Sequence, residues 1–237
     1  MNPPPLSSMS RFIFIGDVHG CIQELRQLTS LLDPRPSDRV IATGDLVAKG
    51  PDSAAVLRHF IAHGWDSVLG NQDARLLERW KEGNLEDAPE LSDEPALLAW
   101  LKGRPDWIDL PEADALVVHG GVLPGTPVTP DALRNQREAL RTLRFVRRGC
   151  HSDWEPVPKG AEREGDRFWG DLWDGPRTIL YGHSPTREQE PRVRAQTIGL
   201  DTGCVYGGRL TAAILEDREW HFVSVPAERI WRERKEA

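Results

Sequence analysis

The sequence predicts a single α/β domain, and two features of the pattern carry that prediction. Up to Asn71, short apolar segments repeatedly end at a glycine and a polar residue, and each is followed by a helical pattern. From Thr178 onward the pattern becomes that of consecutive strands. No internal repeat or linker divides the 237 residues. We therefore expect one domain over residues 11–226, between a disordered Pro/Ser-rich leader (1–10) and a charged tail (227–237).

The first half of the chain is predicted from strand–loop–helix units. The strands fall at residues 11–15, 39–42 and 65–69. The first helix begins near Ile22, has its leucines on one face, and ends before the Pro-rich segment 33–36. The second helix begins at Pro51, a residue favoured in the first turn, and ends at His63-Gly64.

The rest of the chain is predicted to alternate between helices, strands and one long loop. Helices are expected at residues 73–81, 95–102 and from 131 to about 144, and strands at 107–110 and 115–119. Residues 148–170 are polar and rich in Gly and Pro, so we expect an irregular loop. Four further strands are expected at 178–181, 196–200, 209–215 and 220–225.

Composition limits the classes of function. The formal net charge of −7 argues against a bulk nucleic-acid binder, but a local metal or arginine cluster still allows a phosphate-rich small substrate. No apolar run is long enough to span a membrane. The three cysteines, Cys21, Cys150 and Cys204, show no CxxC spacing. They predict neither disulfide partners nor a zinc ribbon, and they favour the cytoplasm.

Polar side chains of metal-ligand type recur where the predicted strands end. Carboxylates, imidazoles and amide oxygens are suitable ligands for a divalent cation, and adjacent glycines allow a sharp turn into a cleft. Any one of these residues could equally be a turn, a helix cap or a packed histidine. Their repeated placement at strand ends predicts one shared site. The segments concerned are Gly16–Gly20, Gly44-Asp45, Gly70-Asn71, His119–Gly121 and Gly182-His183.

The motifs GDVHG, GDLVAKG, GNQD, HGG and YGHS, in this order, resemble the signature of the calcineurin-like metallophosphoesterases, in the branch of the phosphoprotein phosphatases. The segments 44–53 and 200–212 are most similar to the ApaH-like phosphatases, the diadenosine tetraphosphatase group. The similarity runs from about Arg11 to Leu215. It implies a central β-sandwich flanked by helices, a four-layer αββα fold, with metals at one edge.

The resemblance also implies a binuclear metal site and its ligands. Asp17 and His19 would bind the first metal, Asp45 would bridge both, and Asn71, His119 and His183 would complete the second. Two such cations can activate a shared water as the nucleophile and neutralise phosphoryl oxygens. Manganese is the metal we expect first, and iron, cobalt, zinc and magnesium also suit this ligand set.

Lys49 stands where the protein phosphatases of this superfamily carry an arginine, and the ApaH-like group is expected to have lysine there. Lys49 is therefore the first candidate to clamp a phosphate. Arg144 is a second candidate, and it is equally well explained as one arginine of a solvated helix face. Arg75 is a further candidate for substrate binding. Arginines 137, 141, 144, 147 and 148 form either a rim for polyanions or a solvated helix face.

Gln72 departs from the family pattern. The family has a histidine here that is thought to protonate the leaving group, oriented by a carboxylate that matches Asp73. Glutamine donates a hydrogen bond but cannot shuttle a proton. An alkoxide leaving group would suffer most from the loss, whereas a phosphate or nucleotide leaves readily. Gln72 therefore favours anhydride substrates, and it is also compatible with a catalytically weakened protein.

The leading hypothesis is a two-metal hydrolase of phosphoanhydride bonds in nucleoside polyphosphates. By resemblance, its substrate is like diadenosine tetraphosphate, and RNA 5′ caps and inorganic polyphosphate are the other candidates. A protein Ser/Thr phosphatase and a metal- or nucleotide-binding protein with little catalysis are the alternatives. The sequence leaves oligomeric state open.

Overall fold

The computed structural model of the protein describes residues 11–149 and 153–234. The predicted leader, Cys150 and the last three residues of the predicted tail lie outside this part. The described strands are β1 (Phe12–Ile15), β2 (Arg39–Ala42), β3 (Asp66–Ser67), β4 (Trp107–Leu110), β5 (Ala115–Val118), β6 (Phe145–Arg148), β7 (Trp154–Val157), β8 (Arg167–Phe168), β9 (Thr178–Tyr181), β10 (Arg192–Val193), β11 (Thr197–Gly199), β12 (Arg209–Glu216) and β13 (Glu219–Pro226). The helices are α1 (Ile22–Leu32), α2 (Ser53–His63), α3 (Asn71–Lys81), α4 (Pro95–Lys102), α5 (Pro130–Arg134) and α6 (Arg137–Thr142).

Two five-stranded sheets form the centre of the molecule. The first has the order β13-β12-β1-β2-β3, and the second has the order β10-β11-β9-β5-β4. Three neighbouring strands run parallel in each sheet: β1, β2 and β3 in the first, and β5, β9 and β11 in the second. Each sheet therefore presents three carboxyl ends along one edge, which is where open parallel sheets usually place ligands.

The two sheets pack face to face through one buried apolar cluster. Phe14 and Ile41 of the first sheet lie in that cluster with Val117 and Leu180 of the second. Helices α1 to α4 pack on the outer face of the first sheet. Helices α5 and α6 and a small sheet of β7-β6-β8 lie on the outer face of the second. This arrangement confirms the predicted β-sandwich flanked by helices.

The central parallel strands are buried on both faces, which explains their uninterrupted apolar sequences. The four residues of β1, FIFI, and of β5, ALVV, are all buried. A strand packed between a second sheet and a helix layer has no solvent face, so it loses the usual alternation.

Two predictions about local structure are wrong. The expected helix at 131–144 is two short helices, α5 and α6. Between them, the side chain of Gln136 accepts a hydrogen bond from the amide of Leu123 and donates one to the hydroxyl of Thr126. These bonds hold the chain in a turn between the two helices. The segment 148–170 is not a simple loop. It contains β7 and β8, which pair with β6 and are held by edge-to-face contact of Phe145 with Phe168.

Some predicted boundaries shift in ways that affect the site. The third strand is only Asp66–Ser67, and α3 begins at Asn71, before the predicted start at residue 73. Asn71 and Gln72 therefore lie in the first turn of a helix. Cys21 and Cys204 are buried free thiols.

The chain after β13 folds back onto the domain as far as it is described. The amide of Glu228 and the indole of Trp231 both donate to the carboxylate of Glu24, which is fully buried in α1. The amides of Trp231 and Arg232 donate to the carbonyl of Val205. None of the described helices has the length and apolar character that crossing a membrane requires.

Candidate metal centre

Six loops at the carboxyl ends of the parallel strands meet at one edge of the sandwich. The loops after β1 and β2 supply Asp17, His19 and Asp45, and the first turn of α3 supplies Asn71. The loops after β5, β9 and β11 supply His119, His183 and Asp201. All the predicted metal ligands are thus brought together from both sheets. Asp201, a buried carboxylate whose charge acts on Asp17, was not among the predicted site residues.

The backbone in these loops takes conformations that are rare outside glycine. His19, Asp45, Lys49 and His183 have φ of 49°, 51°, 69° and 65°. Such angles cost energy for residues with a Cβ, and they persist where the surrounding structure enforces them, commonly at functional sites. Gly182 is also required, because a Cβ there would lie 1.9 Å from Oδ1 of Asp17.

Asp45 lies at the middle of the cluster that these seven side chains form. Its Oδ2 is 3.5 Å from Nε2 of His19, and its Oδ1 is 3.3 Å from Nε2 of His119. Asp17 lies on the His19 side, with Oδ2 3.9 Å from the same Nε2. Ligand atoms of Asp17, Asp45 and His119 all lie within 4.8 Å of one another. A carboxylate placed between two imidazoles has the geometry of a bridging ligand.

Asn71 joins the two histidines from the second sheet. Its Oδ1 is 3.0 Å from Nε2 of His119 and 2.9 Å from Nδ1 of His183. Asp45, Asn71, His119 and His183 thus form a second donor group that shares Asp45 with the first. The division of these residues between two metals stays a prediction of the family resemblance.

Backbone carbonyls fix the orientation of each imidazole. Nδ1 of His119 lies 2.8 Å from the carbonyl of Thr43, and Nδ1 of His19 lies 3.3 Å from that of Val47. Nε2 of His183 lies 3.1 Å from the carbonyl oxygen of Thr142. In all three rings the other nitrogen faces the cluster, as histidine ligands of metals are usually held.

Three carboxylates are buried in this group of side chains. Asp17, Asp45 and Asp201 are each at most 5% exposed. Burial and the neighbouring Asp201 raise the pKa of Asp17 well above its usual range, and burial also raises the pKa of Asp201. Buried negative charge of this kind is relieved by protonation or by a bound cation.

The histidines differ in protonation. Burial and Lys49 lower the pKa of His19 to about 3, and burial and His119 lower that of His183 well below its ordinary value. Burial also opposes protonation of His119, but Asp45 and Asp17 outweigh it and raise that pKa to about 9. Two neutral imidazoles and a carboxylate-paired one are suited to a divalent cation, which would replace the proton on His119.

These observations fit the group that the family requires. Oxygen and nitrogen donors converge without thiolates, and the far side of each ring is bonded to backbone. The chemistry of the donors suits a cation of intermediate softness such as Mn²⁺, Fe²⁺, Co²⁺ or Zn²⁺.

The three basic candidates occupy different positions. Nζ of Lys49 lies 2.9 Å from Nε2 of His19, so its ammonium lies at the rim of the cluster. Arg144 donates through one terminal nitrogen to the carbonyl of His183, and its buried Nε has no partner among the described residues. Arg75 is exposed on α3, and its side chain makes no hydrogen bond or ion pair within the described part of the chain.

Gln72 and Asp73 form hydrogen bonds that involve the backbone around the site. The amide of Gln72 donates to Oδ1 of Asp45 at 2.8 Å. The buried carboxylate of Asp73 accepts from the amides of Gly70 and Val47, and burial together with Asp45 raises its pKa to about 7. Asp73 thus links the loop after β2 to the loop after β3. Its predicted role was to orient residue 72.

The arginines at 137, 141, 144, 147 and 148 do not share one helix face. Helix α6 ends at Thr142, and the arginines at 147 and 148 lie in β6. Arg137 and Arg141 both form ion pairs with Asp106. They do not join Arg144 beside the cluster.

Comparisons with known proteins identify the family of the chain. The sequence profile of the family described as calcineurin-like phosphoesterase matches residues 10–224. A symmetrical bis(5'-nucleosyl)-tetraphosphatase of Edwardsiella ictaluri is 32% identical, covering 94% of this chain and 98% of that protein. One from Shewanella oneidensis is 42% identical, covering 86% and 94%.

Solved structures give the same result. A crystal structure of a provisionally assigned diadenosine tetraphosphatase has a TM-score of 0.78 and 33% identity, covering 95% of this chain and 96% of that one. A protein serine/threonine phosphatase of Saccharomyces cerevisiae shares the fold, with a TM-score of 0.62, 15% identity, and coverage of 96% and 81%. The chain belongs to the calcineurin-like phosphoesterase family.

Proposed function

We propose that this protein hydrolyses phosphoanhydride bonds in nucleoside polyphosphates, with diadenosine tetraphosphate as the representative substrate. The observation that carries the proposal is the convergence of Asp17, His19, Asp45, Asn71, His119 and His183 on one edge of the sandwich. The names of the relatives, which are tetraphosphatases, support the choice of substrate.

The proposed cofactor is a pair of divalent cations, with Mn²⁺ as the first choice and Fe, Co, Zn or Mg as the others. Asp17 and His19 would hold one cation, Asn71, His119 and His183 the other, and Asp45 both. When bound, such a pair supplies Lewis acidity at the phosphoryl oxygens and an activated water as nucleophile.

The protein's own side chains position the substrate. The ammonium of Lys49, beside His19, is placed to bind an oxygen of the phosphate under attack. Arg144 donates to the carbonyl of His183 and brings a second cationic group to the loop that carries that histidine. Arg75, exposed one helical turn after Asn71, is a peripheral candidate for the same substrate.

The substrate class follows from the absence of an acid at position 72. The amide side chain of Gln72 cannot donate a proton to an alkoxide, and Asp73 is engaged by two backbone amides. A phosphate or nucleotide leaves without that proton, whereas a serine alkoxide leaves slowly. The arrangement thus favours anhydrides over phosphoproteins. RNA 5′ caps and inorganic polyphosphate belong to the same chemical class.

The test compares three substrates with Mn²⁺: diadenosine tetraphosphate followed by product chromatography, inorganic polyphosphate, and a phosphoserine peptide. Rapid cleavage of the anhydrides with a nearly inert peptide is the expected result. A peptide hydrolysed as fast as the anhydrides would instead support the protein Ser/Thr phosphatase. No hydrolysis of any substrate, with metal bound, would support a weakened binding protein.

We expect the protein to work in the cytoplasm on a small phosphorylated partner. Cys21 and Cys204 are free and buried, which suits a reducing compartment.

A further inference from the structure

A row of cationic and aromatic groups leads outward from the metal centre. Nζ of Lys49 lies 2.9 Å from His19 and 5.4 Å from the centre of the Tyr206 ring. The guanidinium carbon of Arg234 lies 5.5 Å from the same ring. The tyrosine thus has the ammonium of Lys49 and the guanidinium of Arg234 as neighbours.

Arg234 lies between two loops of the site. One of its terminal nitrogens donates to the carbonyl of Thr186, in the loop that follows His183. The same nitrogen would be 2.9 Å from a Cβ on Gly203, in the loop that follows Asp201. Both loops begin at carboxyl ends of parallel strands that supply the metal centre. Arg234 is therefore at the mouth of the site, although it is far from the motifs in sequence.

The chain that carries Arg234 is firmly attached. Glu24 accepts hydrogen bonds from the amide of Glu228 and the indole of Trp231, and the carbonyl of Val205 accepts from two amides of the same segment. Tyr206 also forms an isolated bridge with Ile230. The position of the guanidinium is thus set by the fold, even though its side chain is exposed.

We propose that Tyr206 and Arg234, which lie next to Lys49, form a subsite for the part of the polyphosphate chain that lies beyond the phosphorus under attack. This inference rests on the proposed function and extends it to the non-reacting end of the substrate. Arg234 would bind phosphate oxygens there, and Tyr206 would hold the two cationic groups at a fixed separation.

The charge of the molecule makes such a subsite useful. The net charge is −7, and the cluster itself contains several buried carboxylates. A polyanionic substrate therefore needs local positive charge along its length. A guanidinium offers five donors, of which Arg234 uses one within the described residues, and its planar fork matches phosphate oxygens.

The test measures binding, so that it does not depend on turnover. Calorimetry with Mn²⁺ would compare two probes: a methylene-bridged, non-hydrolysable analogue of diadenosine tetraphosphate, and inorganic phosphate, which is too short to reach Arg234 from the metals. The variant is Arg234→Gln. The matched control is Arg232→Gln, because Arg232 is exposed on the same segment and its side chain makes no hydrogen bond within the described residues.

We expect Arg234→Gln to weaken binding of the analogue about tenfold or more, as loss of a hydrogen bond to a charged group does. Binding of inorganic phosphate and the behaviour of Arg232→Gln should match the parent. Unchanged analogue binding in Arg234→Gln, or an equal loss in Arg232→Gln, would overturn the subsite. A parent protein that cannot bind the analogue would also overturn it.

The subsite and the proposed function can fail separately. If the parent cleaves anhydrides but Arg234→Gln binds the analogue normally, only the subsite is wrong. If Arg234→Gln loses analogue binding but the parent hydrolyses a phosphoserine peptide as fast as anhydrides, only the proposed substrate class is wrong.

Discussion

Hydrogen bonds to backbone groups position single residues in this site. His119 faces the cluster because its Nδ1 bonds the carbonyl of Thr43. Asp45 accepts a hydrogen bond from the amide of Gln72. The side chain of Gln72 has no such partner in the described part of the chain. It can therefore be changed without disturbing the ligands, and it provides a sharp test of the leaving-group argument.

Gln72→His should raise hydrolysis of a phosphoserine peptide by about 100-fold, the lower end of the usual range for a general acid. The lower end is expected because Asp73 is bonded to backbone amides and would not orient the new ring. Cleavage of diadenosine tetraphosphate should be nearly unchanged. Gln72→Asn, which keeps an amide, is the control. An equal rise on both substrates would show that anhydride cleavage also lacks an acid.

At the scale of elements, two polar contacts link helix α1 to distant segments of the chain. Helix α1 is tied to α2 through the hydroxyl of Thr29 and Nε2 of His59, which are 2.9 Å apart. It is also tied to the C-terminal segment through Glu24. Each contact makes a prediction about stability.

The contact between α1 and α2 should weaken in acid. Burial, His63 and Arg26 lower the pKa of His59 to about 4, against an ordinary value of 6.5. Between these values the unfolded chain binds a proton that the folded chain does not, so stability falls as the pH drops from 6.5 to 4. His59→Gln should reduce this dependence in urea unfolding followed at several pH values. His221→Gln, on the exposed part of β13, should not. Parallel pH curves for the parent and His59→Gln would contradict this account.

Removal of the Glu24 carboxylate should release the C-terminal segment. Glu24→Ala leaves the indole of Trp231 and the amide of Glu228 without their acceptor, at a cost of about 1–3 kcal/mol in the free energy of unfolding. Urea titration would measure it. Gln23→Ala, at the exposed neighbouring position of α1, is the control. The same loss in both variants would mean that the helix, and not the contact, was affected.

The sequence predicted elements best where one local cause decides the structure. The apolar segments before Asp17 and His119 form strands, as their short uninterrupted apolar sequences and the glycines that follow them predicted. Tertiary contacts decided the rest. Helix α5 ends where Gln136 bonds the 123–126 loop, and β7 and β8 form because they pair with β6. No local pattern records either contact.

The candidate site shows the same division. Asp201 comes directly after the predicted strand 196–200, with Gly203 two residues later, so the search for polar residues at strand ends would also have found it. No sequence pattern marks Arg234 as a site residue. It reaches the site only because the C-terminal segment folds back onto Glu24 and Val205.

The whole molecule should behave as one cooperative unit. Phe14 and Val117, from different sheets, are both fully buried in the cluster between the sheets, so neither sheet keeps its core without the other. We expect thermal or urea unfolding to show a single transition, with the same midpoint by far-UV circular dichroism and by tryptophan fluorescence. Tryptophan fluorescence follows the unfolding of both sheets, since Trp65 packs on the first sheet and Trp169 on the second. Two separated transitions would contradict the single domain.

The central claim is the binuclear centre, and counting bound Mn²⁺ per chain by equilibrium dialysis and elemental analysis tests it most directly. The account predicts two ions in the parent protein. It predicts loss or marked weakening of at least one in Gly182→Ala, whose Cβ would lie 1.9 Å from Oδ1 of Asp17. Gly103→Ala, where the nearest atom to a Cβ is 3.3 Å away, should bind two. One ion or none in the parent, or undiminished binding in Gly182→Ala, would contradict the account.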